Sequence, residues 1–154
     1  MRPRTASRRL SATAFVLWLL APACAPSYHR VQSYRFDAAE ADSLEQDTRN
    51  ACVTRRGAAP ARRFATDGCT LWPDGWWTGR SWAACCVAHD AVYWCGGSGK
   101  ERSEADGALR DCVSQSYSAW MGGVMWLGTR TLAPGWMPVH WRWGYGHDYL
   151  SSGE

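Results

Sequence analysis

Apolar positions are sparse between residues 37 and 51, where Ala41, Leu44, Thr48 and Ala51 recur at helical spacing in an acidic, polar run. That pattern predicts a helix from Asp37 to about Asn50, with Asp37 or Asp42 as its N-cap. So thin a stripe buries little, and the helix must be held by its neighbours. Residues 53–65 carry Arg55, Arg56, Arg62 and Arg63 around Gly57 and Pro60 and read as an exposed basic loop. Residues 66–80 hold three glycines, Pro73, Asp67 and Asp74, which mark a segment punctuated by turns. Ser81 to Trp94 then runs without Gly or Pro and predicts a helix with Ser81 as N-cap. Gly96 to Gly99 ends it, and a second helix follows from Lys100 to about Tyr117, with Leu109, Cys112 and Val113 on its inner side. Two helices joined by so short a turn pack antiparallel. Trp120 to Leu132 has the pattern of an amphipathic or interfacial helix, although Gly122, Gly123 and Gly128 weaken it. The run Trp141 to Gly146 reads as an extended stretch packed on the domain.

The chain's beginning has a different character. Arg2, Arg4, Arg8 and Arg9 precede an apolar run from Leu10 to Ala23 broken only by Ser11 and Thr13. This predicts a secretory signal over residues 1–23, too short to span a bilayer. Residues 24–36 form a tether and residues 37–154 one domain, which is what 154 residues accommodate. The segment Leu20-Ala21-Pro22-Ala23-Cys24 resembles a bacterial lipobox. An acylated Cys24 is therefore expected, with the protein exported and lipid-anchored in a bacterial cell envelope or secreted. The four arginines of the signal outweigh the whole formal charge of +3, so the composition makes no case for nucleic acid.

Export alters the meaning of the cysteines. With Cys24 as anchor, Cys52, Cys69, Cys85, Cys86, Cys95 and Cys112 remain, an even set that predicts three disulfides among fifteen connectivities. The competing reading is a zinc site at Cys85, Cys86 and His89. Adjacent cysteines diverge by about 100° on a helix and seldom ligate one ion.

The run Cys85-Cys86-Val87-Ala88-His89-Asp90-Ala91-Val92-Tyr93 resembles the helix signature of secreted phospholipase A2, Cys-Cys-x-x-His-Asp-x-Cys-Tyr, lacking only the third Cys. Asp106 followed six residues later by Cys112 is similar to the family's second helix, so the resemblance spans roughly residues 66–112. It implies a mainly α, small disulfide-stapled domain in which two antiparallel helices carry the site. It also implies the pairs Cys85–Cys112 and Cys69–Cys86, leaving Cys52 with Cys95. With Cys85 opposite Cys112, His89 lies opposite Ala108, about 3 Å along the axis from Asp106. In the same register Val92 stands opposite Ala105, so both members of the family's absent disulfide are apolar here.

What the resemblance implies chemically is calcium-dependent hydrolysis of the sn-2 acyl ester of glycerophospholipids. His89 would take a proton from water, Asp106 would fix the ring's tautomer, and Tyr93 would support the same carboxylate. Asp90, expected to point away from His89, would hold Ca²⁺ together with carbonyl oxygens of Gly68, Thr70 and Trp72. The family loop, Tyr-Gly-Cys-x-Cys-Gly-x-Gly-Gly, departs here to Asp67-Gly68-Cys69-Thr70-Leu71-Trp72-Pro73-Asp74-Gly75. Asp67 or Asp74 is then a substitute ligand or an ordinary turn residue. That departure favours an alternative reading, a non-catalytic phospholipase-like lipoprotein that binds lipid or a protein partner.

Most of the tryptophans read as core in so small a domain. Trp72, Trp76 and Trp77, near the expected mouth of the site, are the exception and are expected to dip into a phospholipid membrane surface. A monomer is expected. His29 and His140 receive no role, and His147-Asp148 reads as an exposed end.

Overall fold

A computed structural model describes residues 38–75 and 79–148. The signal, the tether, Cys24, His29, Trp76 and Trp77 lie outside the described residues. The described chain is mainly helical, with α1 (Ala38–Arg56), α2 (Ala83–Cys95), α3 (Gly99–Ser116) and α4 (Ala119–Leu132) in order. Three disulfides join Cys52 to Cys95, Cys69 to Cys86 and Cys85 to Cys112. Both sulfurs of the Cys85-Cys86 pair are thereby committed, so neither can serve zinc as a thiolate.

Helix α1 continues six residues past the expected end at Asn50, through part of what the sequence suggested was loop. Arg55 and Arg56 sit in its last turn, where cations favour the carbonyl end of the helix dipole. As its thin stripe requires, α1 is held from outside: Cys52 is bonded to α2, Thr48 is buried, and Leu44 packs near Phe64 and Trp94. Helix α2 begins one residue later than expected, with Trp82 at the N-cap position. Ser81 still contributes, because its Oγ accepts from the Ala83 N–H and donates to the Asp74 carbonyl. Trp82 is 1% exposed, and its indole N–H donates to the Pro73 carbonyl. The turn-rich loop is thus tied to the start of α2.

Helix α3 starts from Ser98, whose side chain and that of Glu101 form a reciprocal capping box. Helix α4 starts from Ser118, whose hydroxyl accepts from the Met121 N–H. The glycines that weaken α4 as an isolated helix serve its packing at one point: a Cβ on Gly122 would lie 2.4 Å from the Arg110 carbonyl oxygen. The backbones of α3 and α4 therefore approach as only glycine permits. Val113, Met121 and Met125 fill this contact with Leu109, Trp82 and the two disulfides of the Cys85-Cys86 pair.

The last described stretch, Ala133 to Asp148, is packed on the domain but consists largely of turns and bends, where an extended stretch was expected at Trp141 to Gly146. It wraps the end of α2, where Gly144 N–H donates to Tyr93 O and Gly146 N–H to Trp94 O. Arg142 is 3% exposed and donates to the carbonyls of Trp143, Gly144 and His147. Those internal carbonyl contacts curl the segment. His147 is not an exposed end either, since its Nε2 lies 3.1 Å from the Cys95 carbonyl oxygen; Asp148 beside it is exposed.

Candidate active site

His89 and Tyr93 stand four residues apart on one face of α2, and Asp106 faces them from α3. His89 Nε2 lies 3.0 Å from Asp106 Oδ1, and the Tyr93 hydroxyl donates to the same oxygen at 2.6 Å. A ring N–H at Nε2 donating to the carboxylate leaves the lone pair of the neutral imidazole at Nδ1. Asp106 is wholly buried, and a buried carboxylate is tolerated only when its oxygens are met by donors. The disulfide between Cys85 and Cys112 sets the register that brings these side chains together. Val92 packs against the apolar cluster that includes Ala105, so both positions sit in an apolar setting.

Charge and burial compete at each of these groups. Burial alone would pull the His89 pKa down, but the bond to Asp106 and the nearby carboxylate of Asp90 outweigh it and hold the pKa above the ordinary histidine value. Burial pushes Asp106 up, yet its bonds from His89 and Tyr93, the His89 charge and Arg130 bring it below the usual carboxylate range. Tyr93 is raised by burial and by the bond to Asp106, so its phenol stays protonated and remains a donor.

Asp90 does not point away from His89 as expected. Its Oδ1 lies 3.9 Å from His89 Nδ1, while Oδ2 accepts from the Thr66 hydroxyl at 2.6 Å. One residue along the helix turns a side chain by about 100°, but the hydroxyl of Thr66, at the start of the loop, holds the carboxylate inward. Burial then raises the Asp90 pKa, against the lowering effects of His89 and Thr66.

The loop that precedes α2 is folded around two aspartates. Asp74 Oδ1 accepts from the Cys69 N–H, and Asp67 Oδ1 accepts from the Thr70 hydroxyl. Gly68 has φ +78°, a conformation that favours glycine, and a Cβ there would press on the Asp74 carboxylate, whose Oδ1 would lie 2.4 Å away. Leu71, one of the residues that departs from the family loop, adopts φ +60° and is exposed. Among the described residues the carbonyl oxygens of Gly68, Thr70 and Trp72 accept no hydrogen bond. These three residues and Asp90 line one cavity. A carboxylate with several carbonyl oxygens is a hard oxygen donor set, which in chemistry fits Ca²⁺. No group of three or more His, Cys, Asp or Glu side chains able to hold a metal occurs among the described residues.

The cavity has a volume of about 430 Å³. His89, Asp90 and Tyr93 form its polar end, and its wall is apolar, built by Leu109 of α3 with Val124, Met125, Leu127 and Leu132 of α4. Leu71, Trp72, Leu127 and Leu132 both line the cavity and expose 40–61% of their surface. The entrance is therefore greasy on both sides.

Two cations at the site escaped the sequence reading. Arg130 Nη1 lies 3.2 Å from Asp106 Oδ2. Arg102 Nε donates to the Tyr93 hydroxyl, and its Nη2 donates to the carbonyls of Thr129 and Arg130. Arg102 stands four residues before Asp106 on α3, so shared helix face was a usable signal. Arg130 had none, because the placement of α4 follows from packing at Gly122. Thr66 was equally hidden in a loop.

Comparison with protein-family models, with curated proteins and with solved structures finds no match.

Proposed function

We propose that this domain hydrolyses the sn-2 acyl ester of glycerophospholipids in a calcium-dependent reaction. The observation that carries the reading is the His89–Asp106–Tyr93 constellation at the polar end of an apolar cavity. Asp90, with carbonyl oxygens of Gly68, Thr70 and Trp72, would hold the ion. Calcium, when bound, supplies the charge that polarises the ester carbonyl and offsets the negative charge developing on its oxygen.

His89 is the general base. Its Nδ1 takes the proton from the attacking water, and the imidazolium that results is stabilised by the buried Asp106 carboxylate. Asp106 and Tyr93 act through His89 and are positioning residues. The wall of Leu109, Val124 and Met125 suits an acyl chain, which gains from leaving water at about 0.8 kcal/mol per methylene. Leu71, Trp72, Leu127 and Leu132 at the entrance suit contact with a phospholipid surface, from which the chain would be drawn. Secretion and a lipid anchor at Cys24 would keep the domain beside that surface.

The reading is tested with a phospholipid carrying distinguishable chains at sn-1 and sn-2. Wild type is expected to release the sn-2 chain, and His89→Gln to release none while keeping its disulfides and thermal unfolding transition. Retained hydrolysis in His89→Gln would sink the mechanism. A second reading, a non-catalytic module that binds lipid or a protein partner, is favoured by Leu71 at positive φ where the family loop lacks a bulky residue. It predicts vesicle or partner binding with no chain release from wild type.

A further inference from the structure

Asp106 distributes its partners unevenly. Oδ1 meets both His89 Nε2 and the Tyr93 hydroxyl, whereas Oδ2 meets Arg130 Nη1 at 3.2 Å and no other group among the described residues. A carboxylate held at one oxygen can still turn about its Cβ–Cγ bond, and such a turn would swing Oδ1 off the His89 ring. Holding Oδ2 removes that freedom. Arg130 is itself braced, because the same Nη1 donates to Ser103 Oγ at 3.0 Å. A second arginine works on the neighbouring partner: Arg102 donates to the Tyr93 hydroxyl and to the backbone carbonyls of Thr129 and Arg130. Those carbonyls lie in the last turn of α4, and that of Thr129 also accepts from the Ala133 N–H at the C-cap. The last turn of α4 is thus fixed to both Asp106 and Tyr93, and the same helix supplies Leu127 and Leu132 to the cavity.

We propose that Arg130 is a positioning residue that fixes the plane of the Asp106 carboxylate, and so the orientation of His89, from the helix that walls the cavity. Its kinetic consequence rests on the hydrolytic reading above. Arg130 does not line the cavity, so its loss should act on the chemical step and leave substrate binding nearly intact. A lysine restores the charge but not the planar, multi-donor contact.

The test compares wild type, Arg130→Lys and Arg130→Gln on a soluble short-chain phosphatidylcholine with saturating calcium, after intact disulfides and a thermal transition are verified. We expect kcat to fall about tenfold or more in Arg130→Gln, KM to stay within about twofold, and Arg130→Lys to lie between Gln and wild type. A kcat for Arg130→Gln within about twofold of wild type, or a loss confined to KM, would overturn the proposal. Should Arg130→Gln fail to fold, Arg130→Lys decides: reduced kcat at unchanged KM supports the assignment, and wild-type kcat overturns it. The His89 ring N–H proton resonance gives a readout that needs no turnover. We expect it resolved in wild type and displaced or broadened in the variants, and an unchanged resonance would overturn the proposal. If wild type hydrolyses nothing, the hydrolytic reading falls and this resonance alone judges Arg130.

Discussion

At the scale of single residues, the candidate site depends on matching buried charge to donors. Asp106 keeps its proton off despite full burial because His89, Tyr93 and Arg130 each present a hydrogen to it. Each bond to a charged group contributes about 1.5–3 kcal/mol, against a larger penalty for leaving the carboxylate unpaired. Glu101 shows the same chemistry at the surface, where a paired acid can be followed by pH. Bonds from Arg56 and from the Ser98 side chain and backbone hold its carboxyl down at about 2, well below the ordinary glutamate value. A carboxyl depressed on folding stabilises the folded state above its unfolded pKa, and that contribution disappears as pH falls through the folded value. Glu101→Gln is therefore expected to lower the thermal midpoint at pH 7 and to converge on wild type as pH falls through 2, read by calorimetry across that range. An equal loss at both ends would assign the effect to packing.

The helices α2 and α3, their antiparallel register and the facing of His89 toward Asp106 were legible because cysteines and a 3.6-residue period fix which side chains meet. The end of α1 and the curled Ala133–Asp148 segment were not. Their course is decided by contacts distant in sequence, such as Arg56 with the Gly96 carbonyl and Trp143 Nε1 with the Gly97 carbonyl. Arg130 stayed hidden for the same reason, since no local pattern records how far α4 approaches α3. At the scale of elements that approach has a single weak point. A methyl group at Gly122 must displace the Arg110 carbonyl or part the helices. Gly122→Ala should therefore destabilise the domain by about 1–3 kcal/mol in chemical denaturation, even though alanine favours an isolated helix. A stabilised variant would show that α4 lies farther from α3 than the structure places it.

At the scale of the whole molecule, each of three disulfides joins a different pair of segments. Cys52–Cys95 ties α1 to the end of α2, Cys69–Cys86 ties the loop to α2, and Cys85–Cys112 ties α2 to α3. Two of them converge on the adjacent Cys85 and Cys86, one turn before His89. The chain thereby fixes its most divergent loop against the helix that carries the proposed base, while Thr66 joins Asp90 to that loop through the Gly68 N–H. No described helix is long and apolar enough to cross a membrane. In the proposed scheme, contact with lipid falls to the exposed apolar rim and to the anchor at Cys24.

In the proposed scheme this loop, which holds fewer glycines than the phospholipase pattern it resembles, completes an ion site next to His89. The decisive measurement is the rate of sn-2 chain release from phospholipid vesicles as free calcium is titrated, for wild type and for Asp90→Ala with its disulfides verified. A saturable rise with calcium is expected in wild type, and Asp90→Ala is expected to abolish it. Release that proceeds in chelator, or that is the same in Asp90→Ala, would contradict the scheme.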